Sequence, residues 1–256
     1  RIFRGNFEIG LNRVGSRTFL GNSSMLPMGV DLGRDCLVGC LSVPPEAGAP
    51  DGTKCVGSPS FLLPRQEQVE KFDDVLLYTP SRSLYLQRLV VDAFRILIPG
   101  WIVVGALATF VLTLYHAFLH FPASSVVLIS PVLGFCLSVA AFSCVMLVKK
   151  VLIGSFKPVV KPLWSRYVWF NEVVNGVWES VGAQFLAAFL GTPFAPILLR
   201  CMGCNVGRNT YIRTTLFSEF DLVKIGDGAA LNIGATIQTH LFEDRIMKSS
   251  YLEIGE

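Results

Sequence analysis

The chain has 256 residues, 52% of them hydrophobic and 16% charged, with a formal net charge of +3. Its mean hydropathy of +0.52 exceeds that of ordinary soluble domains, so an integral membrane protein is the first expectation. No dense Lys/Arg block with interleaved aromatics occurs, which sets nucleic acid aside as a partner.

Near the N-terminus aliphatic residues return at every sixth position: Val14, Leu20, Leu26, Leu32 and Val38. Gly15, Gly21, Gly33 and Gly39 follow them, with Pro27 as the exception, and the small residues Thr18, Ser24, Val30, Cys36 and Ser42 stand three positions further on. This period fits neither an α-helix nor an alternating strand. It predicts a left-handed parallel β-helix, in which each six-residue side sends one aliphatic side chain into a narrow core. Coils about 4.8 Å apart would satisfy the strand hydrogen bonds. Residues 1–65 read as the end of such a module with an extended tail from Asp51 to Arg65, and 66–87 as a polar linker.

From 96 to 148 there is no acidic or basic residue, and about twenty apolar residues suffice to cross a bilayer as a helix. Residues 88–153 are therefore predicted to form a transmembrane hairpin, with helices at about 96–119 and 125–148. Arg82, Arg88 and Arg95 precede the first span, and Lys149, Lys150, Lys157, Lys161 and Arg166 follow the second. The positive-inside rule then places both flanks, and with them both β-helix segments, on the cytoplasmic side.

In 154–203, Val173, Val177, Val181, Phe185 and Phe189 recur at helical spacing while Glu172, Glu179 and Gln184 interrupt them. Amphipathic helices at the interface fit better than a third crossing. The hexad returns over 204–256 at Val206, Ile212, Ile225, Leu231 and Ile237 as the start of a second β-helix. Between Ile212 and Ile225 the phase slips by one residue, which predicts a bulge or loop over 217–223. The chain opens on Arg1 without Met, and Ile254-Gly255 starts another repeat, so an excised piece of a longer protein is expected. The expected fold class is thus a mixed membrane protein, with a transmembrane α-helical hairpin between two left-handed parallel β-helix (hexapeptide-repeat) segments.

The seven cysteines read as reduced, small hydrophobic residues. Cys201-Met202-Gly203-Cys204 has redox or metal spacing, but neither a second pair nor a nearby His completes four ligands. No metal is expected.

Four phrases carry a family resemblance: Gly57-Ser58-Pro59-Ser60-Phe61-Leu62-Leu63-Pro64-Arg65, Pro162-Leu163-Trp164-Ser165-Arg166-Tyr167-Val168-Trp169, Gly191-Thr192-Pro193-Phe194 and Gln238-Thr239-His240-Leu241-Phe242-Glu243-Asp244-Arg245. Together they resemble the C-terminal membrane region of single-module nonribosomal peptide synthetases of the ε-poly-L-lysine synthetase type. The resemblance implies an enzyme with tandem membrane modules, each similar to a hairpin followed by an acyltransferase-like β-helix. It also implies an ATP-using adenylation domain and a phosphopantetheine carrier elsewhere in the parent chain, with no cofactor bound by this piece. The implied partners are the lipid bilayer, those two domains, and further β-helix modules of the same chain or a homo-oligomer.

The activity so implied is condensation: an acceptor amine attacks an aminoacyl thioester on the carrier arm. A base must deprotonate the ammonium, and donors must stabilise the oxyanion. With the catalytic histidine of many hexapeptide acyltransferases, the resemblance selects His240, in the fourth position of the hexad at Ile237, as general base. An imidazole exchanges protons near neutrality. Glu243 or Asp244 would hold its tautomer, while Arg245 would pair with them or bind an acceptor carboxylate. Gln238 is a second candidate substrate contact. From spacing alone, the same residues read as the polar cap of a surface loop, and no oxyanion donor is legible. A non-catalytic membrane scaffold that docks the synthetase is the alternative function. A transporter half is a weaker one, because the spans lack charged residues to couple an ion.

Overall fold

The computed structural model describes residues 2–3, 5–7, 9–63 and 72–255, and the chain divides into two compact units, Arg1–Lys71 and Phe72–Glu256. Residues 64–71, where the expected tail ends and the expected linker begins, lie outside the described residues, as does Glu256.

Among the described residues the first unit contains eight strands of two or three residues: β1 (Ile2–Phe3), β2 (Asn6–Phe7), β3 (Arg13–Val14), β4 (Phe19–Leu20), β5 (Asp31–Leu32), β6 (Leu37–Val38), β7 (Lys54–Val56) and β8 (Phe61–Leu62). β3 pairs in parallel with β5, and β4 with β6, so that Arg13 lies opposite Asp31 and Phe19 opposite Leu37. β7 adds in parallel to β6, and β8 closes that sheet in antiparallel register, Cys55 opposite Leu62. Val30, Leu32, Cys36, Val38, Ala49 and Cys55 form the core, with Leu26 packed against it.

In the second unit a short helix α1 (Asp74–Leu77) precedes α2 (Arg82–His120) and α3 (Ala123–Leu152). The Ser81 hydroxyl caps α2 by accepting from the Leu84 N–H at 3.3 Å. Both helices overrun the predicted spans, and in α2 the added turns are held by Arg88 and Arg95 against Glu172. At 1.5 Å per residue α2 is about 58 Å long. α2 and α3 are long and apolar enough to cross a membrane. Leu107 and Leu128, 59% and 77% exposed, belong to an apolar exterior of the kind that a bilayer or a partner covers.

Beyond α3 comes β9 (Val160–Pro162), a strand within the stretch expected to be helical. α4 (Arg166–Val177) runs into a π-helical turn, Trp178–Gly182, then α5 (Ala183–Ala187) and α6 (Phe194–Met202). A Cβ on Gly182 would lie 2.4 Å from Trp178 Cε3, so the turn can close on the indole only with glycine there. Gly203, at φ 113, ends α6 in the left-handed conformation.

The remaining strands are β10 (Asn205–Val206), β11 (Tyr211–Ile212), β12 (Val223–Ile225), β13 (Ala230–Leu231), β14 (His240–Glu243), β15 (Ile246–Ser249) and β16 (Leu252–Ile254). β12 joins β10 and β16 in parallel, β11 pairs with β13, and β9-β15-β14 form an antiparallel sheet. A 3₁₀ turn, Phe220–Leu222, precedes β12. The unit's core gathers Trp178, Leu186, Leu199, Met202, Ile212, Phe220, Ile225 and Ile237.

These strands correct the expectation of two left-handed parallel β-helix segments. The described residues form six separate sheets of two to four strands, and no continuous solenoid is built. In the first unit the antiparallel β8 ends the parallel stacking. In the second, the 3₁₀ turn and the β14-β15 hairpin carry the chain out of the parallel register and onto β9. The hexad positions also differ in burial. Leu32 and Val38 are 1% exposed, whereas Val14 and Leu20 are 45% and 40% exposed, because β4 is an edge strand and β3 pairs with β5 alone among the described residues.

Two substitutions separate these positions. Leu32→Asp puts an unpaired carboxylate in the core and should cost several kcal/mol, as burying a lone polar group does, whereas Leu20→Asp should cost under about 1 kcal/mol. Thermal unfolding of the two purified variants checks this, and equal losses would show that Leu20 is in the core.

Candidate functional site

The predicted excursion over 217–223 is where the site begins. Phe217 bridges in parallel to Ile237, and the Ser218 N–H donates to Ile237 O at 3.1 Å. Glu219 then takes the left-handed conformation at φ 39, a strained choice for a non-glycine residue. The turn is held because Phe220 packs edge-on to Trp178, ring centroids 4.7 Å apart, while Trp178 Nε1 donates to Thr215 O at 3.1 Å.

This conformation drives the Glu219 side chain inward, where it is wholly buried. Three side chains meet its carboxylate. Asn171 Nδ2 on α4 donates to Oε1 at 2.7 Å, Thr239 Oγ1 donates to Oε2 at 2.8 Å, and His240 Nδ1 stands 2.8 Å from each oxygen. Burial pushes the Glu219 carboxyl up, but hydrogen bonding and charge from His240, with hydrogen bonds from Asn171 and Thr239, outweigh it and hold the group below its ordinary value. An ionised carboxylate only accepts, so Nδ1 carries a proton in either form of the ring; the charge that lowers Glu219 belongs to the protonated form, and the neutral form has its lone pair on Nε2.

His240 lines a cavity of about 520 Å³. The surrounding wall includes Arg95 on α2, Glu172 and Asn175 on α4, Glu179 in the π-helical turn, Gln184 on α5, Ser218 and Gln238. π-Helical turns of this kind recur at functional sites. Arg95 Nη1 pairs with Glu172 Oε2 at 3.1 Å, and Arg88 pairs with the same carboxylate and, at 2.9 Å, with Asp92.

A second polar anchor lies two residues past Glu219. Asp221 Oδ2 accepts from Lys149 Nζ at 2.7 Å and from the Phe156 N–H at 3.0 Å, which ties the 3₁₀ turn to the last turn of α3. Nearby, Cys204 is buried and its thiol is pushed up to about 12, first by burial and then by Asp221, with Lys149 opposing. Such a thiol is a packing group and holds no thiolate at neutral pH. Among the described residues no three His, Cys, Asp or Glu side chains gather to hold a metal.

Of the residues picked from the sequence, His240 and Gln238 meet at the cavity. Glu243, Asp244 and Arg245 do not line it. Glu243 accepts from Lys248 Nζ at 2.7 Å, and Asp244 and Arg245 form the β14-β15 turn at φ 49 and 62. Arg245 donates to Leu77 O at 3.3 Å and stacks 4.9 Å over the Tyr78 ring, which docks the α1 segment. The carboxylate that holds His240 is Glu219, 21 positions upstream. Its one signal in the sequence is the phase slip that marks its loop.

A buried carboxylate–histidine pair opening on a cavity, beside two helices of membrane-crossing length, is the class of site the chain presents. Over 253 residues, 98% of its length, the chain is 34% identical to the delta-poly-L-ornithine synthetase of Acinetobacter baumannii. The chain spans 19% of that relative's length. No protein-family profile matches the chain, and no solved structure matches it.

The lowered Glu219 carboxyl has a stability consequence of definite sign. Its contribution is full above the ordinary carboxylate range and is lost as pH falls through the lowered folded value. Glu219→Gln should therefore weaken the acid dependence of unfolding. Glu219→Ala, which strands the buried Asn171 and Thr239 and the half-buried His240, should cost about 3–5 kcal/mol. Denaturation of detergent-solubilised protein at several pH values tests both.

Proposed function

We propose that the chain supplies the acceptor site for amide-bond formation in an amino-acid polymer synthetase, with His240 as general base and Glu219 as the group that orients it. The observation that carries this reading is the Nδ1 contact to a buried carboxylate, which fixes the ring of a residue that lines the cavity. An acceptor amine arrives as an ammonium and gives one proton to solvent before its lone pair attacks; as the C–N bond forms, Nε2 takes a second proton from that nitrogen and returns it to the departing thiolate. The electrophile is an aminoacyl thioester, delivered on a phosphopantetheine arm from a carrier domain that an ATP-using adenylation domain loads. Gln238 and Gln184 offer amide contacts to the acceptor, and Arg95 a cation for its carboxylate.

In the same proposal α2 and α3 cross the bilayer and the cavity lies on the cytoplasmic side, where a carrier can reach it. The basic residues flanking the uncharged 96–148 support that orientation. Further modules of the parent chain, or a second copy, complete the assembly.

His240→Gln and His240→Ala in the intact synthetase should lower peptide formation about 10²–10⁴-fold, the usual contribution of a positioned base, with adenylation and carrier loading unchanged. Near-normal peptide formation by both variants sinks the mechanism. Orientation is read separately from Ser83→Cys and Ser124→Cys in a background without reactive native thiols. An impermeant thiol reagent on intact cells should label position 124 and spare 83; the reverse pattern inverts the topology.

A further inference from the structure

One face of α4 and of the π-helical turn that follows it forms a wall of the cavity. Glu172, Gly176, Glu179 and Ala183 line it, and positions three or four apart share one side of a helix. Val173, Val174 and Val177, on the other side, are buried in the core. The two carboxylates on the cavity face differ in their partners. Arg95 lies over Gly176, where a Cβ would be 3.6 Å from its Cγ, and turns its guanidinium to Glu172 at 3.1 Å. Arg88 pairs with Glu172 as well, and with Asp92. Glu179 is exposed and has neither an ion pair nor a hydrogen bond among the described residues. The cations of α2 are thus matched by Glu172 and Asp92, and Glu179 is left as an uncompensated negative charge on the wall. Whenever the imidazole is neutral, the ionised Glu219 behind it adds to that charge, so the cavity favours a cation.

We propose that Glu179 selects an acceptor with two amines, its carboxylate holding the ammonium that does not react while the other amine meets His240. The inference rests on the reading of this cavity as the acceptor site. A diamino acid that has deprotonated one amine for attack keeps one ammonium and one carboxylate. Glu179 suits the ammonium and Arg95 the carboxylate, so the two contacts decide which end of the acceptor faces the imidazole. The carboxylate also favours the charged form of the amine it holds, which keeps that nitrogen from competing as a nucleophile. A contact to a group remote from the reacting atoms is made alike before and during attack, so it sets KM and leaves kcat alone.

The test uses the intact synthetase with its carrier loaded, and offers soluble acceptors. L-Ornithine and L-lysine have two amines; L-norvaline keeps only the α-amine and δ-aminovalerate only the terminal one. Glu179→Gln, Glu179→Asp and His240→Gln are compared with wild type for kcat, KM and thermal unfolding. For the better diamino acceptor, Glu179→Gln should raise KM about 3–10-fold, between the worth of an exposed ion pair and that of an enclosed one, with kcat unchanged. Values for the single-amine acceptors should not move, so the preference for two amines shrinks by the same factor. Glu179→Asp should retain part of it. Because Glu179 has no partner within the fold, Glu179→Gln should unfold at the wild-type temperature. An unchanged preference in Glu179→Gln, with His240→Gln impaired, would remove Glu179 and leave the base in place. Near-normal turnover by His240→Gln would remove the base, and Glu179 would then stand only if its KM effect persists. A wild type indifferent to the second amine, an equal rise in KM for the single-amine acceptors, a fall in kcat or a lowered unfolding temperature in Glu179→Gln would each overturn the proposal.

Discussion

A carboxylate with no access to water must find its hydrogen bonds within the protein, and Glu219 finds them on three sides. Asn171 reaches it from α4, while Thr239 and His240 reach it from the chain entering β14. The same anion therefore joins a helix, a strained turn and a sheet edge. Moving any of them breaks a charge-assisted hydrogen bond in a dry interior, where such bonds are strongest. The strain at Glu219 belongs to the same arrangement, for the left-handed backbone is what turns the carboxylate inward. The cavity inherits its order from that contact, since His240 has one orientation that satisfies both oxygens.

The sequence made much of the apolar pattern readable and little of the site. The aliphatic hexad correctly marked inward positions such as Leu32, Val38, Ile212 and Ile225, because burial is what sets the period. It did not specify how many turns would stack. Strands of two or three residues carry too few ladder bonds to commit the chain to a solenoid, and antiparallel neighbours ended the stacking. Absence of charge over 96–148 located the helical hairpin but not its length, since Arg82, Arg88 and Arg95 are good helix formers that extend α2 into polar contacts. Glu243 and Asp244 were attractive for His240 by nearness in sequence. A two-residue turn between β14 and β15 instead carries them away from the cavity, and a carboxylate from a distant loop fills the role.

Two of the cations near the cavity are held by neighbouring anions. Arg88 and Arg95 stand against Glu172 and Asp92, so two cations meet two anions at the end of α2 closest to the cavity. Such a network resists collapse without presenting a lone buried charge. It also leaves Arg95 both on the cavity wall and in its pair with Glu172.

The bond between Lys149 and Asp221 makes the last turn of α3 part of the mechanical frame of the site. Lys149 closes a helix of membrane-crossing length, and Asp221 shares a tight turn with Glu219. The ion pair, the turn and the Glu219–His240 contact thus form one continuous chain from α3 to the imidazole. Were a bilayer to surround α3, its thickness would bear on the turn that presents Glu219 through this strut.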